Sequence, residues 1–202
     1  MAASTLCCSG LRANVQVNLP IFCAALVCGL GGDLLTKSWA LGRVPELYDA
    51  EALIPGLVQL VHALNPGAMV GLFAELPGRG PILAAFAVFA VGLMALSARQ
   101  LSPRAWPVIV ALGGAAGGAL GNALDRLDDG VVFDFVRVYT EHPWLAPLLR
   151  RALGFAELPA FNLADLFILA GLSVWLFHQV VLAEEPSPAA DPPAEPAAPS
   201  PS

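Results

Sequence analysis

The chain's 202 residues are 57% hydrophobic and only 13% charged, with a mean hydropathy of +0.70. Soluble domains carry roughly 25% charged residues, so this composition excludes an ordinary soluble domain and points to a membrane protein. The net charge of −6 comes largely from an acidic C-terminal tail, so it gives no sign of a nucleic-acid partner.

Residues 1–18 read as an N-terminal stub. Four apolar runs follow, at about 19–41, 81–98, 105–124 and 162–183, each near the ~20 residues a helix needs to cross hydrocarbon. The first contains Asp33 and Lys37 and lacks a small-x-small cleavage site, so a retained helix is expected rather than a removed signal peptide. Between the first two runs, Pro and Gly breaks surround LVQLVHAL, whose partial alternation predicts a small extracytoplasmic or interfacial element with strand character. ARQLSPR is the short connection between the second and third runs. After the third run VVFDFVRVY predicts a strand, and EHPWLAPLLRRALGFAELPA an amphipathic segment at the membrane interface with Trp144 at headgroup level. Residues 184–202 are Pro/Ala-rich and acidic, the composition of a disordered tail. The expected fold is therefore mainly α: a four-transmembrane-helix bundle spanning residues 19–183 with a small β-containing element and an interfacial loop or helix.

Cys7 and Cys8 are adjacent, while Cys23 and Cys28 lie in the first run; without a disulfide framework or a CxxC pair they are expected to stay reduced. Arginine counts leave the orientation open. One side would hold Arg12, Arg99 and Arg104, the other Arg43, Arg79, Arg126, Arg137, Arg150 and Arg151, but long loops weigh little in the positive-inside rule.

Polar residues cluster at the ends of the apolar runs. Helix positions i, i+3 and i+4 share a face, and this spacing joins Asn122, Asp125 and Arg126, then Asn162 and Asp165, then Asp33 and Lys37. If the runs alternate in direction, all three clusters fall at one depth on one side of the membrane. Ionisable groups there cost several kcal/mol unless paired, and mark a functional site by default. Gly113, Gly117 and Gly121 recur every fourth position, with Gly114 and Gly118 beside them, and are read as helix packing.

The motifs GGDLLTK, LNPGAMVGLF, GGALGNALDRLDDGVVFDFV and FNLADLFILAG, in this order on a four-span chain, closely resemble those of the lipoprotein signal peptidase (signal peptidase II) family. The resemblance implies a bacterial inner-membrane aspartyl endopeptidase with cytoplasmic termini and its site near the outer face. The implied substrate is a diacylglyceryl-modified prolipoprotein, cut just before the modified cysteine. The implied catalytic pair is Asp134 and Asp165. Two neighbouring carboxyls cannot both ionise easily, so they share a proton, which suits hydrolysis by water. Asn122, Asp125, Arg126 and Asn162 take supporting places, with an Asp125–Arg126 ion pair suggested by adjacency and a helix cap suggested for Asn162. Asn65 falls beside the substrate. Asp33 and Lys37 suit a site-supporting pair and a plain intrahelical salt bridge equally.

The chain departs from the family at Leu64, Pro66 and Met69, and in the 31 residues separating Asp134 from Asp165, a longer segment than is usual. Asp128 and Asp129 read as solvated turn residues, since DRLDDG lacks the alternating ligands of a calcium loop. No metal or organic cofactor is implied; His62, His142 and His178 are isolated and there is no HExxH. Partners are the lipid-modified substrate and membrane lipids, with no nucleic acid, and the chain is expected to be a monomer. The rival reading is a small proton-coupled transporter or channel, which favours midplane charges, whereas these lie at helix ends.

Overall fold

A computed structural model describes residues 2–67 and 77–182. The order is α1 (Ala2–Leu41), β1 (Ala50–Ile54), β2 (Val58–Asn65), α2 (Arg79–Gln100), a 3₁₀ turn (Pro103–Ala105), α3 (Trp106–Asp128), β3 (Val132–Val138), α4 (Leu145–Leu153) and α5 (Leu163–Phe177), followed by a π turn (His178–Leu182). Four stretches are long and apolar enough to cross a membrane: Val17–Leu41, Arg79–Gln100, Pro103–Asp128 and Leu163–Val181. They match the four apolar runs to within a few residues. Met69 of LNPGAMVGLF and the acidic tail lie outside the described residues.

The third span is the centre of the bundle. Its most apolar window is 67% buried, against 17%, 11% and 11% for the others, whose outward faces are left for lipid. Glycine makes that central position available. A Cβ at Gly113 would stand 2.6 Å from the Phe22 carbonyl oxygen, and one at Gly117 would strike the Leu26 and Leu30 backbone of α1. On another face, a Cβ at Gly118 would stand 2.7 Å from the Ala164 carbonyl oxygen of α5. The backbones touch, as small-residue stripes permit between membrane helices. Phe22, Met94, Ala98, Val108, Ile109, Leu112, Ala115 and Ala116 fill the core between α1, α2 and α3.

At one end of the bundle sits an antiparallel sheet in the order β1-β2-β3. Its buried residues Leu60, Phe133 and Phe135 pack on Ala40 and Val44, at and just beyond the end of α1. The register pairs Ala63 with Asp134, and a bulge falls between Leu60 and Ala63. Beyond β3, Phe161 and Val136 exchange backbone hydrogen bonds at 2.9 and 2.8 Å, so the entrance of α5 is docked on the strand that carries Asp134.

Asn18, counted within the stub by the sequence reading, lies inside the continuous α1 and is fully buried. Its side-chain amide donates to the Ala98 carbonyl (3.0 Å) and the Leu101 carbonyl (2.7 Å), satisfying acceptors orphaned at the end of α2.

Candidate active site

All nine residues singled out in the sequence belong to one hydrogen-bonded network at the sheet end of the bundle. α1 contributes Asp33 and Lys37, α3 Asn122, Asp125 and Arg126, β2 Asn65, β3 Asp134, and the mouth of α5 Asn162 and Asp165.

Lys37 is the hub of the inner half. Its ammonium lies 2.7 Å from Asp33 Oδ2 and 2.8 Å from Asp125 Oδ2, and donates to Asn122 Oδ1 at 3.0 Å. Two carboxylates and one amide oxygen therefore surround a single buried ammonium, and their attraction offsets its loss of water. The pair with Asp33 is the expected i, i+4 contact, but Asp33 also reaches across the bundle: its Oδ1 accepts from the Ala164 N–H at 3.0 Å. Asp33 thus ties α1 to the first turn of α5.

The expected Asp125–Arg126 ion pair is not formed. Successive helix positions point about 100° apart and do not face each other. Asp125 turns to Lys37 and accepts from the Phe133 N–H (3.3 Å), fixing the head of β3. Arg126 turns the other way, donating to the Asn122 carbonyl (3.0 Å) and the Gly67 carbonyl (2.8 Å).

Asn162 connects the two candidate catalytic carboxylates. Its Nδ2 donates to Asp134 Oδ1 at 2.8 Å, to Asn122 Oδ1 at 3.0 Å and to the Phe133 carbonyl at 3.2 Å. Its Oδ1 accepts from the Asp165 N–H at 3.1 Å, and its own N–H donates to Asp165 Oδ2 at 3.1 Å. This is a complete capping box, so one residue both starts α5 and holds both acids. Asn122 fixes the other side of Asp165, donating from Nδ2 to Oδ1 at 3.0 Å. Asn65 donates to Asp134 Oδ2 at 3.1 Å, while its Oδ1 accepts from the Gly67 N–H at 3.0 Å.

Electrostatics follow from burial. Asp134 is only 3% exposed. Loss of water, and then the charge of Asp165, push its carboxyl up to about 7, against the opposing pull of Asn65, Lys37 and Arg126. Within the network four carboxyls face two cations, so full ionisation would leave two negative charges uncompensated in a dry setting. Retaining one proton on the Asp134–Asp165 pair halves that excess. Among the described residues, no group of three His, Cys, Asp or Glu could hold a metal ion.

Other residues fall away from this centre. Asp128 ends α3 and Asp129 caps it; both are exposed. His62 places Nδ1 2.9 Å from the Val44 carbonyl oxygen and sets its ring edge against Phe133, fastening sheet to helix. A cleft of about 440 Å³ opens beside Asp125 between Leu34, Leu124, Leu127, Asp128 and Asp129, but neither Asp134 nor Asp165 lines it. Two contributors went unread in the sequence. Gly67 and Ala164 act only through their backbones, and the signal for Ala164 was its pairing with Gly118, where only small residues fit.

Fold and site together define a polytopic helical membrane protein in which a buried carboxyl, Asp134, and a half-buried one, Asp165, are held by the same asparagine where the helices meet a small sheet. The family model described as Signal peptidase (SPase) II matches residues 24–181. The lipoprotein signal peptidase of Xanthomonas campestris pv. campestris (strain 8004) is 33% identical over 164 residues, covering 79% of this chain and 87% of the relative. That of Geobacter metallireducens is 30% identical over 161 residues, covering 79% and 90%. A solved structure described as a bacterial membrane enzyme superposes with a TM-score of 0.62 at 22% identity, covering 81% of this chain and 92% of that one, which establishes the shared fold. The chain belongs to the signal peptidase II family and is a multi-pass membrane protease.

Proposed function

We propose that the chain removes signal peptides from diacylglyceryl-modified prolipoproteins in the bacterial inner membrane, cutting before the modified cysteine, as an aspartic endopeptidase. The observation that carries this reading is the junction at Asn162, which hydrogen-bonds both Asp134 and Asp165 at the boundary between spans and sheet. A substrate held in the bilayer by its lipid and its signal helix presents its scissile bond at such a boundary.

In the resting enzyme the pair carries one proton, more often on the deeply buried Asp134. The ionised partner takes a proton from water as the oxygen attacks the scissile carbonyl carbon. The protonated partner gives its proton to the carbonyl oxygen, so the tetrahedral intermediate forms as a neutral gem-diol. Collapse breaks the C–N bond as the protonated partner gives its proton to the leaving nitrogen and the ionised partner takes one from a gem-diol hydroxyl, so the pair again carries one proton. Asn162, Asn122 and Asn65 keep both carboxyls within reach of the same water. Lys37, Asp33 and Asp125 fix the helix ends beneath them, and Arg126 offsets the negative charge. The termini are assigned to the cytoplasm and the site to the outer face.

The test is an in vitro assay on one precursor with and without its diacylglyceryl group. Cleavage confined to the lipidated form, at the bond before cysteine, supports the reading. Equal cleavage of both forms, or cleavage of neither, rejects it.

A further inference from the structure

The segment from Glu141 to Ala156 leaves the sheet and returns to it. Its ends are clamped by the antiparallel bridge between Tyr139 and Glu157, by the Thr140 N–H to the Ala156 carbonyl (3.1 Å) and by the Leu158 N–H to the Val138 carbonyl (2.8 Å). Inside this excursion α4 forms one compact amphipathic helix, closed by Gly154 in the left-handed region at φ 85°. Leu145, Leu148, Leu149 and Ala152 fall at i, i+3, i+4 and i+7 on one face, while Pro147, Arg150 and Arg151 fall on the opposite face. An amphipathic helix in a folded protein normally spends its apolar face on a core. Among the described residues no other element packs broadly against α4: Leu148 and Ala152 are exposed, Leu145 and Leu149 are half-buried, Trp144 is 65% exposed, and within α4 only Ala146 is buried.

Position and charge identify what covers this face. Nine residues, Gly154 to Asn162, separate α4 from the point where α5 enters the hydrocarbon, and β3 itself is fastened to that point through Phe161. At the same end of the bundle Trp39 is exposed with the Arg43 guanidinium over its ring at 5.9 Å, the aromatic and cationic pairing of a headgroup layer. α4 carries two arginines and no acid, and among the described residues neither arginine makes an ion pair. Leucines on one face with arginines on the other form the pattern of a helix lying in an interface that contains anionic lipid.

We infer that α4 is a membrane-surface anchor: its leucine face and Trp144 enter the headgroup boundary, and Arg150 and Arg151 bind anionic phospholipid headgroups there. The anchor holds the strand bearing Asp134 at a fixed height against the bilayer, and it does not depend on the proposed substrate.

The test uses the full chain with Cys7, Cys8, Cys23 and Cys28 replaced by serine, labelled with an environment-sensitive fluorophore through Leu148→Cys or, as a control at the base of the loop, Glu141→Cys. Each is reconstituted in nanodiscs of phosphatidylcholine with or without phosphatidylglycerol. The expected result is blue-shifted emission at position 148, quenching by bromine-labelled acyl chains, and an iodide quenching constant at least about twofold below that at position 141. Protection should increase with phosphatidylglycerol, and Arg150→Gln with Arg151→Gln should remove that increase alone. Iodide access equal at the two positions would overturn the inference, and would fit a helix that rests on substrate or solvent instead. Protection insensitive to phosphatidylglycerol would overturn the headgroup assignment.

Discussion

Replacing Asn65 with alanine tests the electrostatics of the carboxyl pair without touching either acid. Asn65 donates to Asp134 Oδ2 at 3.1 Å, and that bond favours the ionised carboxylate, drawing it down from a level set by burial and by Asp165. A hydrogen bond to a charged group contributes roughly 1.5–3 kcal/mol, and because Asn65 is only half-buried water replaces part of it, so about 1.5 kcal/mol is at stake. At about 1.36 kcal/mol per pH unit this is a change of about one pH unit. The sign is upward: losing the donor penalises the ionised form, so Asp134, at about 7 in the parent, keeps its proton to higher pH. Hydrolysis needs one proton on the pair, so activity falls on the alkaline side as that proton leaves. The alkaline limb of kcat/KM against pH, measured in detergent on a lipidated precursor, should therefore move up by about one pH unit in Asn65→Ala. The peak rate should fall as well, because Asn65 also positions Gly67 beneath Arg126. An alkaline limb that stays put or moves down would refute this account of the pair.

Three further outcomes follow from packing and topology. Lys37→Met leaves Asp33 and Asp125 facing each other without their shared cation, and should cost about 3–5 kcal/mol in thermal or denaturant unfolding. Adding Asp33→Asn should recover part of that loss, whereas a lysine merely solvated at the surface would show neither effect. Gly117→Ala should destabilise by about 1–3 kcal/mol, since its methyl would meet the α1 backbone at Leu26 and Leu30, and Gly92→Ala, whose methyl meets nothing within 4 Å, should be close to neutral. Single cysteines at Arg99 and Glu141 should react with membrane-impermeant maleimide from opposite sides, Glu141 from outside; labelling from one side would contradict the proposed orientation.

The architecture was legible because hydrocarbon imposes a length and an apolarity that the four runs display openly. The candidate site was legible for a related reason: Asp33, Lys37, Asp125 and Asp165 stand in or beside apolar runs, where an unpaired charge costs several kcal/mol. Side-chain direction was harder to read. Adjacency suggested pairing Asp125 with Arg126, but a helix turns neighbours apart, and the true partner of Asp125 lies 88 positions away on α1. Backbone contributions were hidden for a different reason, since the N–H of Ala164 and the carbonyl of Gly67 carry no residue signature. The apolar run starts one residue after Asn18, so hydropathy puts this residue outside the span, although α1 continues through it and its amide serves the Ala98 carbonyl.

The most direct measurement is turnover of a lipidated precursor by Asp134→Asn and Asp165→Asn, each confirmed to insert and to match the parent's thermal unfolding. General acid–base catalysis supplies about 10²–10⁴-fold, so each substitution should lower kcat by at least about a hundredfold, with the double variant little worse than either single one because the two carboxyls act as a unit. Retention of more than about a tenth of the parent rate by either variant would contradict hydrolysis by a shared-proton aspartate pair.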